Sequence, residues 1–172
     1  MFQNDLDDAS LGYHSQLYSD IANGLLSVQA TVSVAESLTG GLLGRALSKR
    51  PGSSQYFMGG VICYDTRLKI KLCGVRPRTL STHGVVSRET AREMVEGVAR
   101  ITGSDFAVST TGVAGPLQPG ESNEQLGLVY VGVYSLNRVE VKKFRFKGDR
   151  DHVVMQAVES SLGLLRNYVK VF

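Results

Sequence analysis

The chain has 172 residues, 42% of them hydrophobic and 20% charged, which fits one domain with its own core and excludes a disordered or fibrous chain. With 19 Lys and Arg against 16 Asp and Glu, the net charge is +3, too even to mark a nucleic-acid or membrane-surface partner. The 2 cysteines, Cys63 and Cys73, are too few for a disulfide framework or a Cys-rich zinc site, and read as reduced core thiols of a cytoplasmic protein.

The start, Met1 to Asp8, is acidic and polar and lacks the basic start and apolar run of a secretory signal. No stretch approaches the ~20 apolar residues of a membrane span. A soluble, cytoplasmic protein is expected, with residues 1–12 as a flexible end and 13–172 as one domain. Leu17, Ile21 and Leu25 recur at helical spacing, which predicts an amphipathic helix over about 14–28. Thr31 to Ala35 is short and β-branched, a strand. A second helix follows Gly40-Gly41, carries Leu42, Leu43, Ala46 and Leu47, and ends at Pro51-Gly52. Gly59 to Tyr64 reads as a strand, and Thr66 to Cys73 as a short helix stopped by Gly74.

Ser87 is the expected cap of a helix that runs to about Thr102, with Ala91, Met94, Val95 and Val98 inward and Gly103 as its stop. Phe106-Ala107-Val108 begins a buried strand, and Gly112 to Gln125 is a loop rich in Gly and Pro. Leu126–Tyr134 and Val139–Phe146 alternate around Ser135-Leu136-Asn137-Arg138 and predict a β-hairpin. A long helix closes the chain from Asp149 or Asp151 through Val169. This order defines an α/β protein, a single-domain mixed β-sheet covered by helices.

The common motifs are missing: GxGxxG, GxxxxGK[ST], HExxH and GxSxG. His14, His83 and His152 show no metal-ligand spacing, so no metal site is expected. Three segments remain. Ala35-Glu36-Ser37-Leu38-Thr39-Gly40-Gly41 joins a strand to a helix, where ligands bind in α/β sheets and where helix amides face outward. Ser37 there is a nucleophile or anion ligand and Thr39 a substrate contact, or either is a plain helix cap. Tyr64 ends a strand just over a helical turn before Lys69, and a desolvated lysine is a possible base for a serine. Both can equally be ordinary interface and surface groups. Ser109-Thr110-Thr111-Gly112-Val113-Ala114-Gly115-Pro116 leaves a strand for a glycine loop, suited to a phosphate or oxyanion or simply to a tight turn.

In combination these segments resemble the CinA C-terminal domain family. The resemblance rests on Ala35 to Gly41, Gly52-Ser53-Ser54, Phe57, Gly60, Val61, Tyr64, Asp65, Lys69, Leu80, Gly84, Val86, Ser87, Thr111 to Pro116 and Gly148-Asp149-Arg150. It spans about residues 14–170. It implies a nicotinamide-nucleotide amidohydrolase that turns nicotinamide mononucleotide into nicotinic acid mononucleotide and ammonia, with no metal or cofactor. Ser37 is the implied nucleophile, with Lys69 and Tyr64 handling protons. The acyl oxygen is placed near Gly40-Gly41 or the Thr111–Gly115 loop, which includes Gly112. The phosphate is assigned to Ser53, Ser54, Thr111 and a basic residue, Arg45 or Arg150.

Three departures from the family pattern stand out. Leu38 replaces a usual cysteine and is read as a packing change. The loop after Pro116 reads Leu117-Gln118-Pro119-Gly120, and Leu128 replaces a threonine, which is expected to alter the ligand wall. The family's longer members carry an N-terminal domain for which this chain has no room, so a stand-alone form is expected. The family forms oligomers, and a homo-oligomer is expected here, a homodimer on symmetry. The alternative reading is a nucleotide-binding or regulatory module that keeps the pocket without the chemistry.

Overall fold

The computed structural model describes residues 15–117 and 122–169. The expected flexible end at 1–12 and the Gln118-Pro119-Gly120 segment lie outside the described residues. The elements are α1 (Ser15–Ser27), β1 (Val32–Glu36), α2 (Leu42–Ser48), β2 (Phe57–Ile62), α3 (Thr66–Cys73), α4 (Pro77–His83), α5 (Arg88–Thr102), β3 (Phe106–Gly112), β4 (Leu128–Ser135), β5 (Arg138–Arg145) and α6 (Arg150–Val169). A short 3₁₀ turn, Ser53–Gln55, leads into β2.

The strands form one mixed sheet in the order β2-β1-β3-β4-β5. β1 pairs in parallel with β2 and β3, whereas β3–β4 and β4–β5 are antiparallel. Alternation along the strands divides the interior in two. Val32, Val34, Phe106, Val108 and Val131 pack with α1, α2 and α6 on one face. Ala35 and Ala107 pack with Cys63, Cys73, Met94, Val95 and Val98 on the other, under α3 and α5. Gly97 is what allows α3 and α5 to touch, since a Cβ there would lie 1.8 Å from the Cys73 carbonyl oxygen.

Local chemistry sets the element ends. Ser87 caps α5 by accepting from the Thr90 amide, as its sequence position predicts. Asp149, not Asp151, accepts from the His152 amide at the start of α6. The hairpin turn is tighter than expected. β4 and β5 meet through Leu136 and Asn137 alone, at φ 46 and 67, the left-handed pair that matches the twist of the strands.

Two expectations need correction. α4 is a helix that the apolar pattern does not reveal, because Leu80 is its one large apolar residue. Pro77 at its start suits the first turn, where its missing N–H costs nothing. His83 therefore ends a helix just before α5. The second strand ends at Ile62, so Tyr64 lies in the β2–α3 connection. No helix among the described residues is long and apolar enough to cross a membrane.

Candidate active site

The three parallel strands end at one edge of the sheet, where α/β proteins hold ligands. β1 runs out into Ser37, β2 into Cys63-Tyr64, and β3, which ends in Thr111-Gly112, into Val113. A cavity of about 380 Å³ opens there, lined by Ser37, Tyr64, Lys69, Thr111, Gly112, Gly115 and Arg150 together with Leu38, Thr66, Val85 and Val86. The Ser37 amide is tied to the Thr110 carbonyl at 3.1 Å and its hydroxyl at 3.4 Å, which fixes the serine to the neighbouring strand.

Lys69 reaches this edge from α3, whose first turn is capped by the Asp65 carboxylate accepting from the Arg67 amide. The lysine is fully buried. Its Nζ lies 2.9 Å from Ser37 Oγ, 2.7 Å from the Cys63 carbonyl and 3.2 Å from the Tyr64 carbonyl. Burial lowers its pKa, since water no longer solvates the ammonium. The three partners sort themselves by chemistry. A carbonyl can only accept, so Cys63 and Tyr64 each hold an N–H. In the neutral amine this leaves the lone pair facing the Ser37 hydroxyl, the geometry of a general base.

Glu36 is the site residue that sequence reasoning passed over. Its side chain is buried at 1% exposure. One carboxylate oxygen accepts from the amides of Gly41 at 2.9 Å and Leu43 at 3.1 Å, and the other from Gly44 at 2.7 Å. A carboxylate at the start of α2 satisfies its free amides and its dipole. The Gly40 amide bonds to the Ser37 carbonyl. The amides of Gly40 and Gly41 are therefore committed within the protein, and neither residue lines the cavity. Neither Ser37 nor Thr39 caps this helix: the cap position is Gly41, and Thr39 shares a buried 2.8 Å hydrogen bond with the Thr110 hydroxyl. A glutamate five positions before Gly41 follows no capping spacing, so no local signal exposes it.

Tyr64 and Arg150 meet across the cavity. Arg150 donates to the Tyr64 hydroxyl at 2.7 Å and to the Gly115 carbonyl at 2.6 Å, and no carboxylate among the described residues pairs with it. It is Tyr64's main chain, rather than its phenol, that touches Lys69. The Thr111 hydroxyl donates to the Val85 carbonyl at 2.9 Å, closing the wall. Ser53, Ser54 and Arg45 do not line the cavity. Ser53 donates to the Ser48 carbonyl, while Ser54 and Arg45 are exposed on the 3₁₀ turn and α2. Leu38 packs in the α1/α2/α6 core and borders the cavity. Leu128 does not line it. Its carbonyl instead accepts from the Val113 amide, so the expected change to the ligand wall does not arise there.

This chain belongs to the family defined by the CinA C-terminal domain, whose model matches residues 14–169. It is 42% identical over 166 residues to a CinA-like protein of Endomicrobium trichonymphae, covering 96% of this chain and 39% of that one. A putative competence-damage inducible protein of Moorella thermoacetica is 38% identical over 161 residues, again with 39% of its length covered. The chain thus spans about two fifths of these relatives. Among solved structures, a CinA superfamily protein from Klebsiella pneumoniae superposes with a TM-score of 0.86 at 30% identity, covering 91% of this chain and 98% of that one. A competence/damage inducible protein from Agrobacterium tumefaciens gives 0.83 at 35% identity, covering 87% and 92%.

Proposed function

We propose that the chain hydrolyses the carboxamide of nicotinamide mononucleotide to nicotinic acid mononucleotide and ammonia. Membership of the CinA family supports the class. The observation that carries the chemistry is the buried Lys69 Nζ, 2.9 Å from a Ser37 hydroxyl that opens onto the cavity. Neutral Lys69 takes the Ser37 proton as Oγ adds to the amide carbon. The new oxyanion is assigned to the amides of Ala114 and Gly115, which meet no acceptor among the described residues. One such donor contributes about 2.7–4 kcal/mol to the transition state. Lys69 then passes the proton to the amide nitrogen, the C–N bond breaks and ammonia leaves. Water adds to the acyl ester, Lys69 takes its proton, and the ester C–O bond breaks to restore Ser37.

Arg150 is assigned to the 5′-phosphate. A guanidinium carries five N–H donors. Two are held by Gly115 and Tyr64, which leaves others for an anion in the cavity. Binding energy at the phosphate then orients the amide at Ser37. The test is ammonia release by the pure protein. Nicotinamide mononucleotide should be turned over and free nicotinamide scarcely at all. Equal rates on both, or none on the nucleotide, overturn the reading.

A further inference from the structure

Cys63 and Cys73 lie beside the lysine, and the Cys63 thiol donates to the Glu36 carbonyl at 3.5 Å. Cys63 follows β2 and Cys73 is the last residue of α3, yet their sulfurs are 3.8 Å apart. They are 0% and 1% exposed. Lys69 sits on α3 four residues before Cys73, so the two share a helix face. Its Nζ bonds to the carbonyl of Cys63 itself. The thiol pair and the lysine thus hang on the same two pieces of backbone. We propose that Cys63 and Cys73 form a reversible peroxide-driven disulfide that pulls Lys69 out of line with Ser37 and slows turnover. As a regulation of that site, the effect on turnover rests on the amidohydrolase reading; the disulfide itself does not.

A disulfide needs an S–S separation near ~2.05 Å. Closing from 3.8 Å is shared between rotation of the two side chains and movement of the end of α3 or the Cys63 backbone. Room to yield elsewhere is small, since Gly97 of α5 already meets the Cys73 carbonyl without space for a Cβ. The backbone shift therefore falls on Cys63, whose carbonyl holds Lys69 Nζ. A misplacement of ~1 Å at a reacting group can cost about a hundredfold in rate.

The pair is also set up for the first step. The hydrogen bond from Cys73 holds the Cys63 thiol below its ordinary value, against the effect of burial. That favours Cys63 as the attacking sulfur. Its thiolate attacks one oxygen of hydrogen peroxide, the O–O bond breaks, and hydroxide leaves to become water. The Cys73 sulfur then displaces hydroxide from the Cys63 sulfenic acid, releasing a second water with the Cys73 proton. Two electrons from two thiols reduce one peroxide. Peroxide is little larger than water and suits a buried pair, whereas a bulky disulfide oxidant does not.

The test treats the folded protein with hydrogen peroxide, removes it, and counts thiols by alkylation after denaturation. Wild type should be two hydrogens lighter with no alkylated cysteine. Its kcat should fall tenfold or more, and dithiothreitol should restore both. Cys73→Ala, or Cys73→Ser if the first folds poorly, should keep its kcat through the same treatment. Two alkylated thiols after treatment overturn the proposal. So does a disulfide with unchanged kcat, or equal loss in the Cys73 variant. If the reduced protein releases no ammonia, the function reading fails instead. A structure of the oxidised protein then decides the latch. Lys69 Nζ beyond hydrogen-bond reach of Ser37 Oγ supports it, and an intact bond overturns it.

Discussion

Two glycine turns leave neighbouring parallel strands, and they look alike in sequence. The turn after β1, Ser37 to Gly41, closes on itself. Glu36 takes the amides of Gly41, Leu43 and Gly44, and the Ser37 carbonyl takes that of Gly40. The end of β3 and the turn after it, Thr111 to Gly115, form the cavity wall and offer the Gly115 carbonyl to Arg150. One turn is a rigid mount for a hydroxyl; the other faces the cavity. The difference teaches that glycines and a helix start mark a ligand site only where the amides are uncommitted. A buried carboxylate can occupy an anion site before any substrate does.

The sharpest test of this division removes the hydroxyl from the mount or the amine beside it. Ser37→Ala and Lys69→Met should each lower kcat by about a thousandfold or more, with the fold intact by circular dichroism. Members of one catalytic unit are not additive, so the double variant should be scarcely worse than either single. A folded Ser37→Ala that keeps more than about a tenth of kcat, a loss under ~1.4 kcal/mol, removes Ser37 as the nucleophile.

Opening the closed turn comes next. Glu36→Gln keeps the side-chain shape but cannot accept from all of the amides now held by the carboxylate. A buried donor left unmet costs about 1–3 kcal/mol. Urea unfolding should show a loss in that range. kcat should fall with it, because the same turn positions Ser37. Unchanged stability means that the carboxylate is not what closes the turn.

On the ligand-facing side, Arg150→Met should raise KM for the nucleotide by about ten- to a hundredfold, the worth of a charge-assisted hydrogen bond. The unphosphorylated nucleoside should be turned over equally by both proteins. A uniform loss on both substrates would place Arg150 in the wall rather than on the phosphate.

Most of the fold was legible. The α5 period, its Ser87 cap and the hairpin follow from local spacing, and so do α3 and its Gly74 stop. α4 was not, since a polar segment with one large apolar residue has no face to read. The site was legible in part. Ser37 and Lys69 are 32 positions apart, and parallel pairing of β1 with β2 brings their segments together. Ser53, Ser54 and Arg45 were drawn in by residue type alone, and the fold carries them away from the cavity. Glu36 was invisible because its partners lie five to eight positions ahead, beyond any cap rule.

The lowered pKa of Lys69 gives a test that needs no substrate. An unfolded lysine titrates near ~10.4. Between the lowered folded value and that figure, the unfolded chain holds a proton that the folded chain has lost. Stability should therefore rise with pH across this window, by at most ~1.4 kcal/mol per pH unit, and level off above it. kcat should rise through the folded value as the amine becomes neutral. In Lys69→Met the stability slope should be smaller by that amount. An unchanged slope means that the lysine stays charged in the folded protein, and it cannot then serve as the base.

The smallest effect is expected at Tyr64. Its phenol bonds to Arg150, and its contact with Lys69 is made by the main-chain carbonyl, which no side-chain replacement removes. The ring is also 56% exposed, so its loss of a hydroxyl disturbs no core packing. Tyr64→Phe therefore leaves the lysine and its lone pair in place and frees one Arg150 donor. A hydrogen bond from the charged guanidinium contributes about 1.5–3 kcal/mol to holding Arg150, of which the phosphate senses only the loss of position. KM should rise by no more than about tenfold, with kcat nearly constant and the pH profile unmoved. A collapse of kcat, or a shifted profile, would instead make the phenol part of the proton path. The cavity wall would then share in the chemistry proposed for Ser37 and Lys69.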